Sequence, residues 1–251
     1  MSPWNMAPLD DRPQIGTISV DPGSLDQHGV ELLEMLTELG LTLPRELPAD
    51  TPLQGWRVLS TQYGGITVLG APVDGDRQRW QIGQAQRGYT DPAKRTFSVH
   101  PMAQQRRPSS RERAGGLILR WPETTRSAPT IDLLAVDIVN TGAERWHPQG
   151  DSFMVFANIR RRNGSKPDMY YGYVGGQNPA LPLDPGEYVR TRVVIESFGW
   201  DQAEPGAYEV DAVLIDLGVS TSDPILIELT AQEIRDHAPR RPMPPPPPVP
   251  S

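Results

Sequence analysis

Residues 204–218 read EPGAYEVDAVLIDLG, and this stretch decides the fold class. From Gly206 to Leu217 the side chains divide by strand alternation, with Tyr208, Val210, Ala212, Leu214 and Asp216 on one face. That face opens on an aromatic ring and stays apolar until its end. The opposite face starts charged at Glu209 and Asp211 and becomes apolar at Val213 and Ile215, the pattern of a strand partly covered on its outer side. A long strand opened by Gly-x-Tyr therefore predicts a β-rich fold.

Working outward, the same signal recurs between clusters of turn residues. Strands are predicted at 116–121, 131–140, 151–161, 169–174, 186–197, 206–217 and 224–230, and seven strands over about 115 residues is the count of one antiparallel sandwich. Shorter period-two pieces lie between Trp56 and His100. They either form a small separate β region or extend the same sandwich. Before them, Ser24 and Gln27 suggest a capping box, and Leu25, Gly29, Leu32, Leu36, Leu39 and Leu43 recur at helical spacing, predicting a helix from about Leu25 to Leu39. Gly40 is set to end it, followed by Pro44 and Pro48. The stripe spans only two heptads, which favours packing on the protein's own sheet over a dimeric coiled coil.

The motif of Glu204, Gly206, Tyr208 and Val210 resembles the tyrosine corner of immunoglobulin-like and fibronectin-type sandwiches. AVDIVNTGAERW, followed by the LDPGE turn before a long strand, is similar to bacterial adhesion and spacer modules. The resemblance covers about 116–230. It implies an immunoglobulin-like antiparallel β-sandwich in which the Tyr208 hydroxyl bonds back to the preceding corner. Val210 stands where an antibody-type domain has its second cysteine, and strand 151–161 offers Phe153 and Phe156 in place of a core Trp, so the antibody subclass is excluded.

The expected organisation is an extended arm at 1–22, a helix plus small β region at 23–103, an Arg-rich linker at 104–115, the sandwich at 116–230 and a disordered Pro-rich tail at 231–251. The linker reading rests on QQRRPSSRERAGG, which holds four arginines and little that is apolar. In the tail, Arg241, Pro244 and Pro247 fit the RxxPxxP spacing that SH3-like grooves recognise.

Composition narrows function. The 251-residue chain has 28 Pro, 23 Gly, no Cys and a formal charge of −7. Without cysteine there is no disulfide framework, thiolate metal site or cysteine nucleophile. The negative charge argues against nucleic acid and anionic membranes as partners. The N-terminal residues lack a signal-peptide pattern, and no apolar run reaches membrane-spanning length, so the expected location is cytoplasmic.

Catalytic signatures are sparse. Of four histidines, His147 has the best neighbours, since Asp151 is placed to orient its imidazole, but no nucleophile elbow, HExxH, P-loop or dinucleotide fingerprint accompanies it. The acidic pairs Asp201 with Glu204 and Asp216 with Asp223 lack the dense spacing of a calcium loop. No cofactor or metal is expected. The expected function is a non-enzymatic protein-interaction or structural module, with Tyr171, Trp200 and Arg161 as the partner-binding residues and Tyr208 as the structural corner. The alternative is an enzyme, or an accessory subunit of one, with a site near His147 and Asp151.

Overall fold

A computed structural model of the chain describes residues 11–62, 65–86, 95–162, 178–195, 200 and 203–238. The chain is mainly β and divides into two compact units, 1–115 and 116–251. Expectations for Tyr171, for a strand at 169–174 and for the proline run fall outside the described residues.

The first unit holds strands β1 (Gln14–Ile15), β2 (Ile18–Ser19), β3 (Arg57–Gln62), β4 (Ile66–Pro72), β5 (Arg79–Gln86), β6 (Thr96–Val99) and β7 (Gln104–Arg107). They form one antiparallel sheet in the order β2-β1-β7-β5-β4-β3, with β6 also paired to β5. Period-two alternation along β4 and β5 supplies two cores. Leu69, Ala71 and Ala85 pack with Trp56 on one face. Val68, Trp80 and Ile82 pack with Leu59, Ile15 and Val20 on the other.

The stripe expected as one helix is shared between these faces. Helix α1 (Pro22–Asp26) sends Leu25 to the second core, and α2 (Leu32–Glu38) sends Leu32, Met35 and Leu36 to the first. The break is a backbone crossing. Val30 and Trp56 exchange N–H···O bonds of 2.8 and 3.0 Å, and a Cβ at Gly29 would collide with the Gly55 carbonyl. Only glycine admits that approach, so Gly29→Ala is expected to cost about 2–3 kcal/mol through backbone displacement, read as a lower denaturant midpoint. At the far end Gly40 adopts φ +68°. Its N–H donates to the Thr37 carbonyl at 3.0 Å and that of Leu41 to Leu36 at 2.8 Å, a Schellman closure.

The Arg-rich stretch expected as a linker belongs to the first unit. Strand β7 lies between β1 and β5. Helix α3 (Ser110–Arg113) follows, capped by Ser109. Arg113 is 3% exposed; its guanidinium donates to the Pro108 carbonyl at 3.1 Å and to Gln14 Oε1 at 2.5 Å. Arg107 donates to the Gly16 carbonyl. Arginines thus satisfy backbone and amide acceptors that an apolar residue would leave unpaired.

The second unit contains β8 (Leu117–Arg120), β9 (Ala135–Asn140), β10 (Val155–Arg161), β11 (Tyr188–Val194), β12 (Gly206–Leu214), β13 (Val219–Ser220) and β14 (Ile225–Leu229). Antiparallel pairs join β8 to β9, β9 to β11, β10 to β12, and β12 to both β13 and β14. A two-residue parallel pairing of β10 with β11 links the two sets. A parallel bridge from Leu119 to Thr221 brings β8 back to the chain after β13. Val136, Ile138, Val155, Val210, Ala212 and Leu214 are buried between them. Short helix α4 (Glu123–Ser127) precedes a 3-10 turn at Ile131–Leu133. The tail expected to be unstructured from 231 opens instead with helix α5 (Ala231–His237), held by a complete capping box between Thr230 and Glu233.

Candidate functional site

Strand parity on β8, β9 and β11 builds a polar surface over the second unit's core. Leu117 and Leu119, Val136 and Ile138, and Val193 point inward and are buried. The residues between them form cross-strand rows on the outer face. One row is Ile118, Val139 and Tyr188; the next is Arg120, Asp137 and Arg190; Ala135 and Arg192 begin a third.

In the middle row the carboxylate is covered by its neighbours. The Asp137 side chain is 3% exposed, while those of Arg120 and Arg190 are 55% and 47% exposed. Arg190 donates from Nε to Asp137 Oδ1 at 2.7 Å and from Nη2 to Oδ2 at 3.2 Å, a two-point grip. Arg120 Nη2 approaches the same Oδ2 at 3.5 Å. The hydrogen bond with Asp137 raises the Arg190 guanidinium above its ordinary pKa. That guanidinium also sits 5.9 Å from the centroid of the Tyr188 ring, within cation-π range. Arg192 donates to the Asp132 carbonyl at 3.2 Å.

Fixing these long side chains in advance removes part of the entropy cost of a later contact. Around them Ile118 and Tyr188 remain 42% and 52% exposed. Three arginines against one aspartate give this face an excess of positive charge on an acidic chain. Alternation of Arg with exposed aromatic and aliphatic residues on β11 and β8 was the available sequence signal.

The outer surface of β10 and β12 has a different balance. Arg160 bridges Glu209 and Asp211, both at 2.9 Å. Burial raises the Asp211 pKa despite the opposing pull of Arg160. A raised carboxyl contributes stability below its unfolded pKa, near 4, and that contribution is lost as pH rises through the folded value. Asp211→Asn is therefore expected to gain on the wild type as pH increases from about 4, followed by unfolding midpoints across pH.

The residues singled out from sequence have separate surroundings. Arg161 pairs with Glu204 at 2.6 Å and is 47% exposed. Trp200, expected on an exposed patch, is 1% exposed and stacks on the His237 ring, with centroids 4.7 Å apart. A ring so enclosed presents no surface to a partner. Tyr208 is 1% exposed; its hydroxyl donates to the Glu204 carbonyl at 2.7 Å and accepts from the Glu204 N–H at 3.2 Å. Gly206, between them, takes φ +145°, which a side chain would resist.

His147 is exposed and makes no hydrogen bond or ion pair among the described residues. Asp151 is buried and accepts from the Gln149 N–H at 3.0 Å, closing its own turn. Neighbouring Trp146 is buried and stacks on Phe153. No group of three metal-ligating side chains gathers among the described residues, and no helix there is long and apolar enough to cross a membrane. The chain matches no protein-family model, no curated protein and no solved structure.

Proposed function

We propose that the second unit is an immunoglobulin-like sandwich serving as a non-enzymatic protein-interaction module. Its docking face is the outer surface of β8, β9 and β11. Two antiparallel sets, β8-β9-β11 and β10-β12-β14, together with the Tyr208 corner, support the fold reading. The observation that carries the function is the Arg120–Asp137–Arg190 row beside exposed Tyr188 and Ile118. Tyr and Arg dominate interface energetics because they combine large contact area with directional polar groups. Excess positive charge on this face suits a protein partner that presents an acidic segment with an apolar side chain.

Capture from the native host, with quantification of bound protein, tests this reading. Tyr188→Ala and Arg120→Gln are each expected to reduce capture about tenfold or more while leaving the unfolding midpoint near that of the wild type. Arg145→Gln, which alters an exposed arginine paired with Asp184, is the control and should retain capture. Equal capture by all three variants would rule the face out.

A further inference from the structure

Strand β5 changes partner along one edge of its sheet. It pairs with β7 at Arg79 and Trp80 and with β6 at 83–86. Between these two pairings the chain turns through residues 101–103, and the ladder is interrupted opposite Gln81. The His100 N–H still reaches the Ile82 carbonyl at 2.8 Å, but the His100 carbonyl is bonded by a side chain, the Nε2 of Gln81 donating to it. The amide nitrogen thereby satisfies a backbone acceptor that the interrupted ladder leaves open. Gln81 is 2% exposed, and its Oε1 accepts no hydrogen bond among the described residues. An amide oxygen so enclosed is unfavourable until a donor reaches it.

Gln81 lines a cleft of about 570 Å³, within the size range of small-molecule sites. Pro48, Val73, Pro101 and Met102 supply apolar walls, and Met102 is 68% exposed. Two charged side chains complete the lining, Asp50 and Arg79. Neither side chain pairs with the other or with any other group among the described residues. The Asp74 carboxylate, on the same hairpin as Arg79, is committed to the backbone N–H groups of Gln78 and Arg79, at 2.9 and 3.0 Å. The cleft therefore presents one donor fork, Arg79, and two acceptors, Asp50 and Gln81 Oε1, that the protein itself leaves unanswered.

The geometry points to a binding site for a small zwitterion of the α-amino-acid class with an apolar side chain. A guanidinium takes a carboxylate at two points. An ammonium group carries three N–H donors, enough to answer Asp50 and Gln81 Oε1 together. The apolar side chain lies against Pro48, Val73 and Met102, whose flexible thioether adapts to its shape. A plain carboxylate would leave both acceptors without a donor, and a plain amine would leave Arg79 unpaired. The site lies wholly within the first unit and is independent of the docking face, so either can fail without the other.

Titration of the full-length protein with L-leucine, L-methionine and L-phenylalanine, followed through the side-chain amide resonances of Gln81 and the methyl resonance of Met102, tests the site. At least one of the three is expected to give saturable shifts at both residues. Its N-acetyl derivative, which lacks the ammonium group, and the corresponding amine, which lacks the carboxylate, should each bind about tenfold or more weakly. Asp50 and Arg79 are exposed, so Asp50→Asn and Arg79→Gln should keep the wild-type unfolding midpoint while each weakens binding about tenfold or more. Absence of a saturable shift with all three amino acids overturns the proposal. Undiminished binding of the N-acetyl derivative or the amine does so too, as does wild-type affinity in either variant.

Discussion

Replacing Trp200 by Ala is expected to destabilise the second unit by about 3–5 kcal/mol, the cost of removing a large, fully enclosed ring whose space the surroundings cannot fill. The indole is 1% exposed and carries the His237 ring on one face. The loss should therefore be visible twice, as a lower denaturant midpoint and as faster exchange of the α5 amides. A midpoint equal to that of the wild type would mean that the ring is not enclosed. Trp200 as a partner anchor predicts the reverse, lost capture with stability intact, and its burial argues against that reading.

Tyr208→Ala is expected to cost a comparable 3–5 kcal/mol, and Tyr208→Phe about 1 kcal/mol. The difference separates two roles of one side chain. Alanine removes a ring buried against the inner face of the sheet. Phenylalanine keeps the ring but takes away the group that joins both the N–H and the carbonyl of Glu204. Because those backbone groups are only partly buried, water recovers part of the lost bonding, which holds the second figure near the low end. Equal midpoints for Tyr208→Phe and Tyr208→Ala would assign the whole effect to the hydrogen bond and none to packing.

Several elements were legible in sequence because their causes are local. Gly40 ends α2 where the left-handed position was expected, since a Schellman closure needs only neighbouring residues. The alternation in 206–217 located β12, and Tyr208 meets Glu204 because four residues of chain and a glycine at φ +145° suffice to bring them together. The 186–197 and 224–230 patterns likewise coincide with β11 and β14. In each case the deciding pattern lies within one short stretch of chain.

Where the partner is distant, periodicity alone was ambiguous. Leu25 and Leu36 belong to one helical stripe in sequence, yet they pack on opposite faces of a sheet because Gly29 passes against Gly55 and breaks the helix. The run from Gln104 to Arg113 has the composition of a solvated linker. Its arginines are drawn into structure by Gly16 and Gln14, more than 90 residues away. Trp200 carries no local mark of burial; the helix that covers it begins 31 positions later, at Ala231. The polar face of β8, β9 and β11 has the same origin. Arg120, Asp137 and Arg190 become one row only when antiparallel register aligns three strands, since hydrophobic alternation specifies which side of a strand faces outward but leaves its neighbours across the sheet to the pairing of the whole fold.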